Sequence, residues 1–234
     1  MTSVAKVAES TVVDYAIDAL REAIRSGRLV PGQRLVVADI TAMLSVSAGP
    51  VREAIRRLTG EGLIEIVPHR GASVRRITSH DLKEIFELRE AVEGLAARLA
   101  AERSAPFRDQ LKALMQEMAQ LASAEDIERY VVNNTAFHDL VYRMSGNERV
   151  RTLAAQLVLP IYQVRLPQRM PLSELHISHD DHKEIAAALL AGDGDAAEAA
   201  MRRHIGHARH GLEETLAAIE PPRRPARAGT AKAD

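Results

Sequence analysis

From Val12 to Ser26 the apolar residues Val13, Ile17, Leu20 and Ile24 recur at near-helical spacing, which predicts a helix with one buried face. Pro31-Gly32 then has the composition of a type II turn, and a second short helix is expected over roughly Val37 to Leu44. The next segment, SVSAGPVREAIRRLTGEG, carries Val51, Ala54, Ile55 and Leu58 at i, i+3, i+4 and i+7. That stripe predicts a third helix to about Thr59, with Arg52 and Arg56 together on another face. Ser47 suits the N-cap because a hydroxyl can accept from an orphan first-turn N–H, and Pro50 is tolerated where N–H groups lack partners. Gly60 or Gly62 can close the helix in the left-handed conformation. After it, LIEIVPHRGASVRRI alternates apolar and polar positions around a turn at Pro68 to Gly71, the pattern of a two-stranded ribbon.

Beyond Ile77 the period of two disappears. Ser79 to Glu102 reads as one long helix through Leu82, Ile85, Leu88, Val92, Leu95 and Leu99. Further helices are expected over Pro106–Leu121, Ala124–Ser145, Glu148–Leu166, Ser173–Ala191 and Asp195–Ala218, separated by clusters of turn residues. The fold class is therefore mainly α: an N-terminal unit of helices with a small β-wing, then an all-α six-helix bundle. The expected division is residues 1–77, residues 78–220, and a basic tail over 221–234 whose lack of periodic apolar positions predicts disorder.

Helix, turn, helix, tight turn, helix and β-ribbon is the order of a winged helix-turn-helix, whose last helix enters the major groove of DNA. The segments IRSGRLVPGQRL, SVSAGPVREAIRRL and EGLIEIVPHRGASV make this more specific, because together they resemble the DNA-binding domain of the GntR family of bacterial transcription regulators. The resemblance covers about Val12 to Ile77. It implies that Ser47, Gly49, Arg52, Arg56, His69, Arg70 and Gly71 meet DNA. There are two departures from the family pattern: Ala48-Gly49 stands where arginine and threonine are usual, and Ala38 stands where some members carry a DNA-contacting arginine. Arg52 remains, and arginine paired with guanine is the commonest specific base contact.

Composition narrows the class further. The 234 residues, 46% hydrophobic, suffice for one large or two modest domains with real cores. No apolar run approaches membrane-spanning length and the N-terminus lacks a signal-peptide pattern, so a cytoplasmic, nucleoid-associated bacterial protein is expected. With no cysteine, disulfides and thiolate metal sites are excluded. Residues 1–77 hold 11 Lys+Arg against 8 Asp+Glu, net +3, whereas the remainder is net −4, so the positive part is the one that would meet phosphate.

In the helical part, histidine carries the candidate chemistry. Asn134 and His138, at i and i+4, share one helix face, while His182 and His204 lie on two further helices. Three imidazoles and a carboxamide oxygen can hold a divalent transition metal with positions left open. Spacing alone is weak evidence and by itself favours the plainer reading of hydrogen-bonded bundle histidines and surface histidines. A second resemblance bears on the choice: NNTAFHDLVYRMSGN, DHKEIAAALLAGD and AEAAMRRHI are similar to signature segments of the FCD ligand-binding domain of one GntR subfamily. It implies a metal, zinc first with nickel, iron or manganese also compatible, held by Asn134, His138, His182 and His204. Many members have aspartate where Asn134 stands. The same resemblance makes Arg89 an effector contact, with a solvated i, i+4 ion pair to Glu93 as the plain alternative.

The expected function is an effector-responsive transcription regulator, a repressor by family resemblance, and not an enzyme. It is expected to bind a palindromic double-stranded operator as a homodimer, since one small reading head covers too few bases. The expected effector is a small organic acid, and no membrane partner is expected. The competing reading is a metal-dependent phosphohydrolase, suggested by His138-Asp139 and His179-Asp180.

Overall fold

The computed structural model describes residues 2–161 and 170–219. Three helices open the chain: α1 (Thr2–Arg25), α2 (Val37–Leu44) and α3 (Ala48–Gly60). The strands β1 (Arg34–Leu35), β2 (Ile64–Val67) and β3 (Gly71–Val74) form an antiparallel sheet in the order β1-β3-β2, with Arg34 opposite Ser73 and Ile66 opposite Ala72. The predicted two-stranded wing thus has a third strand. Gly32 enables it: at φ +82° it turns the chain into β1, its N–H donates to Val74 O at 2.8 Å, and the Arg76 guanidinium fills the space a side chain would need.

Val13, Ile17, Leu20 and Ile24 of α1 pack with Val51, Ala54, Ile55 and Leu58 of α3 in one apolar cluster, the faces the spacing predicts. Ser47 occupies the N-cap position of α3 but makes no capping bond. The third helical residue is Pro50, so one of the two N–H groups that a cap normally bonds does not exist. At the far end, Glu61 caps the helix and Gly62, at φ +75°, supplies the left-handed residue, so Gly60 stays helical.

A separate apolar cluster begins at Ile77 and runs to Leu216. It belongs to α4 (Ser79–Glu102), α5 (Arg108–Ser123), α6 (Ile127–Met144), α7 (Glu148–Val158), α8 (Leu172–Ala191) and α9 (Gly194–Ile219). These are six helices among the described residues. The expected continuation of α7 to Leu166 passes into a short 3-10 turn, Leu159–Ile161, and then outside the described residues, as does the C-terminal tail. A capping box fixes the start of α4: Thr78 Oγ1 accepts from Asp81 N at 3.1 Å, and Thr78 N donates to Asp81 Oδ2 at 2.9 Å.

Helices α4 and α9 run antiparallel in close contact. Arg98 bonds Asp195 and Glu198 near one end, and Arg209 lies 3.6 Å from Glu90 nearer the other. Between them, a Cβ added at Gly94 would come within 3.0 Å of the Arg202 stem, so the absence of a side chain there favours the close approach. This approach carries His204 of α9 inward beside Arg89 and Glu93 of α4.

Candidate DNA interface and buried histidine site

On the N-terminal unit, Arg52 and Arg56 occupy one exposed face of α3 and, with Arg34, Ile66, Gly71 and Ala72, line a groove between that helix and the sheet. Arg56 is committed to Glu53 through contacts of 2.9 and 2.6 Å. The hydrogen bonds from Arg56 and Arg57 hold Glu53 down to about 2. Among the described residues Arg52 has no such partner, so its fork is available to a base edge without breaking an ion pair. Ser47 and Gly49 are exposed at the start of α3, and a Cβ added at Gly49 would meet nothing within 4 Å.

The wing tip is a turn closed by Arg70 N donating to Val67 O at 3.0 Å, with Pro68 and His69 at its centre. His69 takes φ 63°, the positive value a type II turn requires at that position. His69, Arg70 and Gly71 are all exposed. Sequence reasoning missed Arg34, whose Nε lies 4.0 Å from the place a Gly71 side chain would start. Its only signal was adjacency to a turn.

In the helical unit, His138 of α6, His182 of α8 and His204 of α9 are all buried, and each offers a ring nitrogen within 4.8 Å of the others. Their Nδ1 atoms are held from behind. His204 Nδ1 is 3.3 Å from Asp181 Oδ2, and His138 Nδ1 is 2.9 Å from Glu93 Oε2, at ion-pair distance though out of line for a straight hydrogen bond. His182 Nδ1 is 3.2 Å from the Tyr130 hydroxyl. A carboxylate can only accept, so protons on His138 and His204 belong on Nδ1, which leaves lone pairs on both Nε2 atoms. Those two atoms face each other at 3.3 Å, and His182 Nε2 is buried with no hydrogen-bond partner among the described residues.

Facing lone pairs repel unless something positive lies between them. A proton on His182 or His204 is disfavoured: burial drives His182 well below its ordinary range, with the neighbouring imidazoles acting in the same sense, and burial carries His204 down to about 4 against the opposing bond from Asp181. A metal ion fits instead, because nitrogens bonding one ion at about 2.0 to 2.1 Å can stand this close together. Carboxylates behind ligating imidazoles are the usual support for such ions.

Those carboxylates stay charged. Burial alone would protonate Glu93, but the Arg89 charge and the contacts from His138 and Tyr142 outweigh it and hold the group well below the carboxylate range. Arg89 Nε donates to Glu93 Oε1 at 2.6 Å and Tyr142 donates to Oε2 at 2.7 Å. The i, i+4 pair is therefore formed, but buried rather than solvated. Asp181 is likewise opposed by burial and lowered by hydrogen bonds from His204 and His207. Neither supporting carboxylate was identifiable from spacing, since each meets its histidine across a helix boundary.

A cavity of about 1050 Å³ opens beside the cluster. Asn134, His138 and His204 line it together with Arg89, Asp181 and His207; His182 lies behind them. Thus the structure brings the three histidines together, puts Asn134 one turn away on the same cavity wall, and gives Arg89 both a Glu93 bond and a cavity edge.

A winged helix-turn-helix joined to a helical domain is the architecture of a DNA-binding transcription regulator. The model described as bacterial regulatory proteins, gntR family, matches residues 13–74, and the FCD domain model matches residues 84–207. The chain is 32% identical over 202 residues to a probable D-xylose utilization operon transcriptional repressor of Paenarthrobacter nicotinovorans, covering 86% of this chain and 88% of that one. It is 28% identical to the HTH-type transcriptional repressor GlaR of Escherichia coli K12, over 80% of this chain and 89% of that protein. The solved structure of E. coli McbR/YncC shares the fold with a TM-score of 0.74 at 22% identity, over 87% of this chain and 97% of that one. The chain belongs to the GntR family and carries an FCD domain. It is a DNA-binding transcription regulator and not an enzyme, which disposes of the phosphohydrolase reading.

Proposed function

We propose that the protein is a repressor whose operator affinity is set by a carboxylate-bearing effector bound beside a divalent metal ion in the FCD domain. The observation that carries this reading is the convergence of three buried imidazoles, two of them facing Nε2 to Nε2 at 3.3 Å and the third with an unpartnered Nε2. His138, His182 and His204 would hold the ion, with the Asn134 carboxamide oxygen on the same wall as a neutral fourth donor. Zinc suits three imidazoles and an oxygen, nickel and iron share the imidazole preference, and manganese is compatible through the oxygen donors. The ion supplies positive charge and open positions for an effector carboxylate. Asparagine in place of an acid leaves that charge less neutralised, which favours an anionic ligand. Arg89 at the cavity edge adds a fixed cation, although Glu93 shares it.

Repression is supported by two relatives, a probable D-xylose utilization operon transcriptional repressor and the transcriptional repressor GlaR. On DNA, Arg52 reads a base, Arg56, Arg70 and His69 meet the backbone or the minor groove, and Ser47, Gly49 and Gly71 allow close approach. Two chains bind as a homodimer on a palindromic operator, because a single α3 spans too few base pairs.

The test is operator affinity of metal-loaded and chelated protein, measured by fluorescence anisotropy against a panel of small carboxylic acids. We expect at least one acid to weaken DNA binding by about 5- to 150-fold, the range of ordinary allosteric coupling, and only with metal present. Release that survives complete chelation would refute the metal-centred reading.

A further inference from the structure

The cavity is not confined to the helical domain. His204, His207, Gly211 and Glu214 line it from one stripe of α9, so it follows that helix for about 15 Å at 1.5 Å per residue. Because α4 and α9 are antiparallel, the Glu214 end lies toward the start of α4. There Asp81 bonds Arg75, whose backbone N–H donates to Leu63 O at 2.9 Å, two residues beyond Glu61. The reading head closes the cavity at this end, for Arg21 of α1 and Glu61 at the end of α3 are among its lining residues. Arg21 donates to Glu61 at 2.6 and 3.2 Å and to Asp18 at 3.0 Å.

The two ends differ in chemistry. At the inner end stand the histidines, with the unpartnered His182 Nε2 behind them, and Arg89. At the outer end Glu61, Glu174 and Glu214 line the wall, while Arg21 beside them is already divided between Asp18 and Glu61. The volume of about 1050 Å³ is at the upper end of small-molecule pockets and exceeds what a small monocarboxylate fills.

Building on the effector reading above, we propose that the effector is an elongated zwitterion, with a carboxylate at the histidine end and a cationic group taken by Glu61 of the reading head. The cation competes with Arg21 for Glu61. Occupancy therefore loosens the tie between α1 and the end of α3, and the reading head senses the ligand by direct contact.

The probes are straight-chain carboxylates of increasing length, with and without a terminal amine, titrated calorimetrically into metal-loaded full-length protein. We expect the amine to tighten binding about tenfold at one optimal length, the worth of a single charge-assisted hydrogen bond, and not at short lengths. Glu61→Gln should abolish that gain, with plain acids still binding at the histidine end. Arg21→Gln should instead enlarge it by removing the competitor, a direction that general damage to the domain does not produce. At the optimal length the amino acid should also release operator DNA from the native protein and not from Glu61→Gln. If plain acids bind in a manner lost in His204→Ala but the amine adds nothing at any length, or its gain persists in Glu61→Gln, this inference is overturned and the effector reading stands. If no carboxylate binds the metal-loaded protein, both fall together.

Discussion

Arg52 is exposed on α3 with no ion-pair partner among the described residues, whereas its neighbour Arg56 is bound to Glu53. That difference separates their effects. Arg52→Ala should cost about 1 to 3 kcal/mol of discrimination between the operator and a mismatched site, the worth of one bidentate base contact, with the helical domain still folded. Arg70→Ala, at the wing tip, should weaken all sequences alike and reduce the salt slope by about one unit, as loss of one phosphate contact does. Paired salt titrations on specific and random DNA separate the two, and identical effects would remove the division of labour. Gly49 adds a third case: open space around it means that Gly49→Thr should fold normally and alter operator preference alone, readable by competition against a randomised operator library. These roles were legible because α3 carries its stripe and its arginines within one short segment. Arg34 was not legible, since its approach to Gly71 arises from strand pairing far along the chain.

Among the elements, α4 is the one joining the two units. Its start is fixed by the Thr78–Asp81 capping box, and Asp81 also bonds Arg75 at the end of the wing segment. Burial would raise the Asp81 acid, but the bonds from Thr78 and the Arg75 charge prevail and lower it. A carboxyl lowered by folding contributes stability above its unfolded value near 3.9, and loses it as pH falls through the lower folded value. Asp81→Ala should therefore cost about 0.5 to 2 kcal/mol at neutral pH, and the gap to the native protein should close in acid. Denaturant melts of both proteins over the acid range measure this, and a gap independent of pH would assign the loss to packing instead. Most helices announced themselves through periodic apolar residues and caps. Strand β1 did not, because two residues cannot show alternation and its formation depends on Gly32 and on β3. Likewise, Ser47 has the right identity for a cap, but Pro50 removes one bond it would make.

At the scale of the whole molecule, the three histidines come from α6, α8 and α9, so an ion held by them ties those helices together. Binding to the folded state alone stabilises it by mass action, by about 4 kcal/mol at a thousandfold excess over the dissociation constant. Chelation should accordingly lower the melting temperature of the helical domain and spare the reading head, whose apolar cluster is separate. Differential scanning calorimetry resolves the two transitions, and an unchanged profile would count against a bound ion. The candidate site was only partly legible. The sequence motifs led to the histidines, but Glu93, Asp181 and Tyr130, which orient them, lie on neighbouring helices at separations that no spacing rule encodes. The contribution of Arg21 and Glu61 to the cavity depends on how the two units meet.

The most direct measurement is the metal content of the purified protein by mass spectrometry of the elements, alongside His182→Ala and His204→Ala, with folding checked by circular dichroism. The native chain should carry about one equivalent of a single transition metal per protomer, and each variant should lose it while remaining helical, as expected when one of three imidazole ligands is removed. Full metal retention in both variants, or a metal-free native protein that takes up none on addition of zinc, nickel, iron or manganese, would contradict the account and return these histidines to packing.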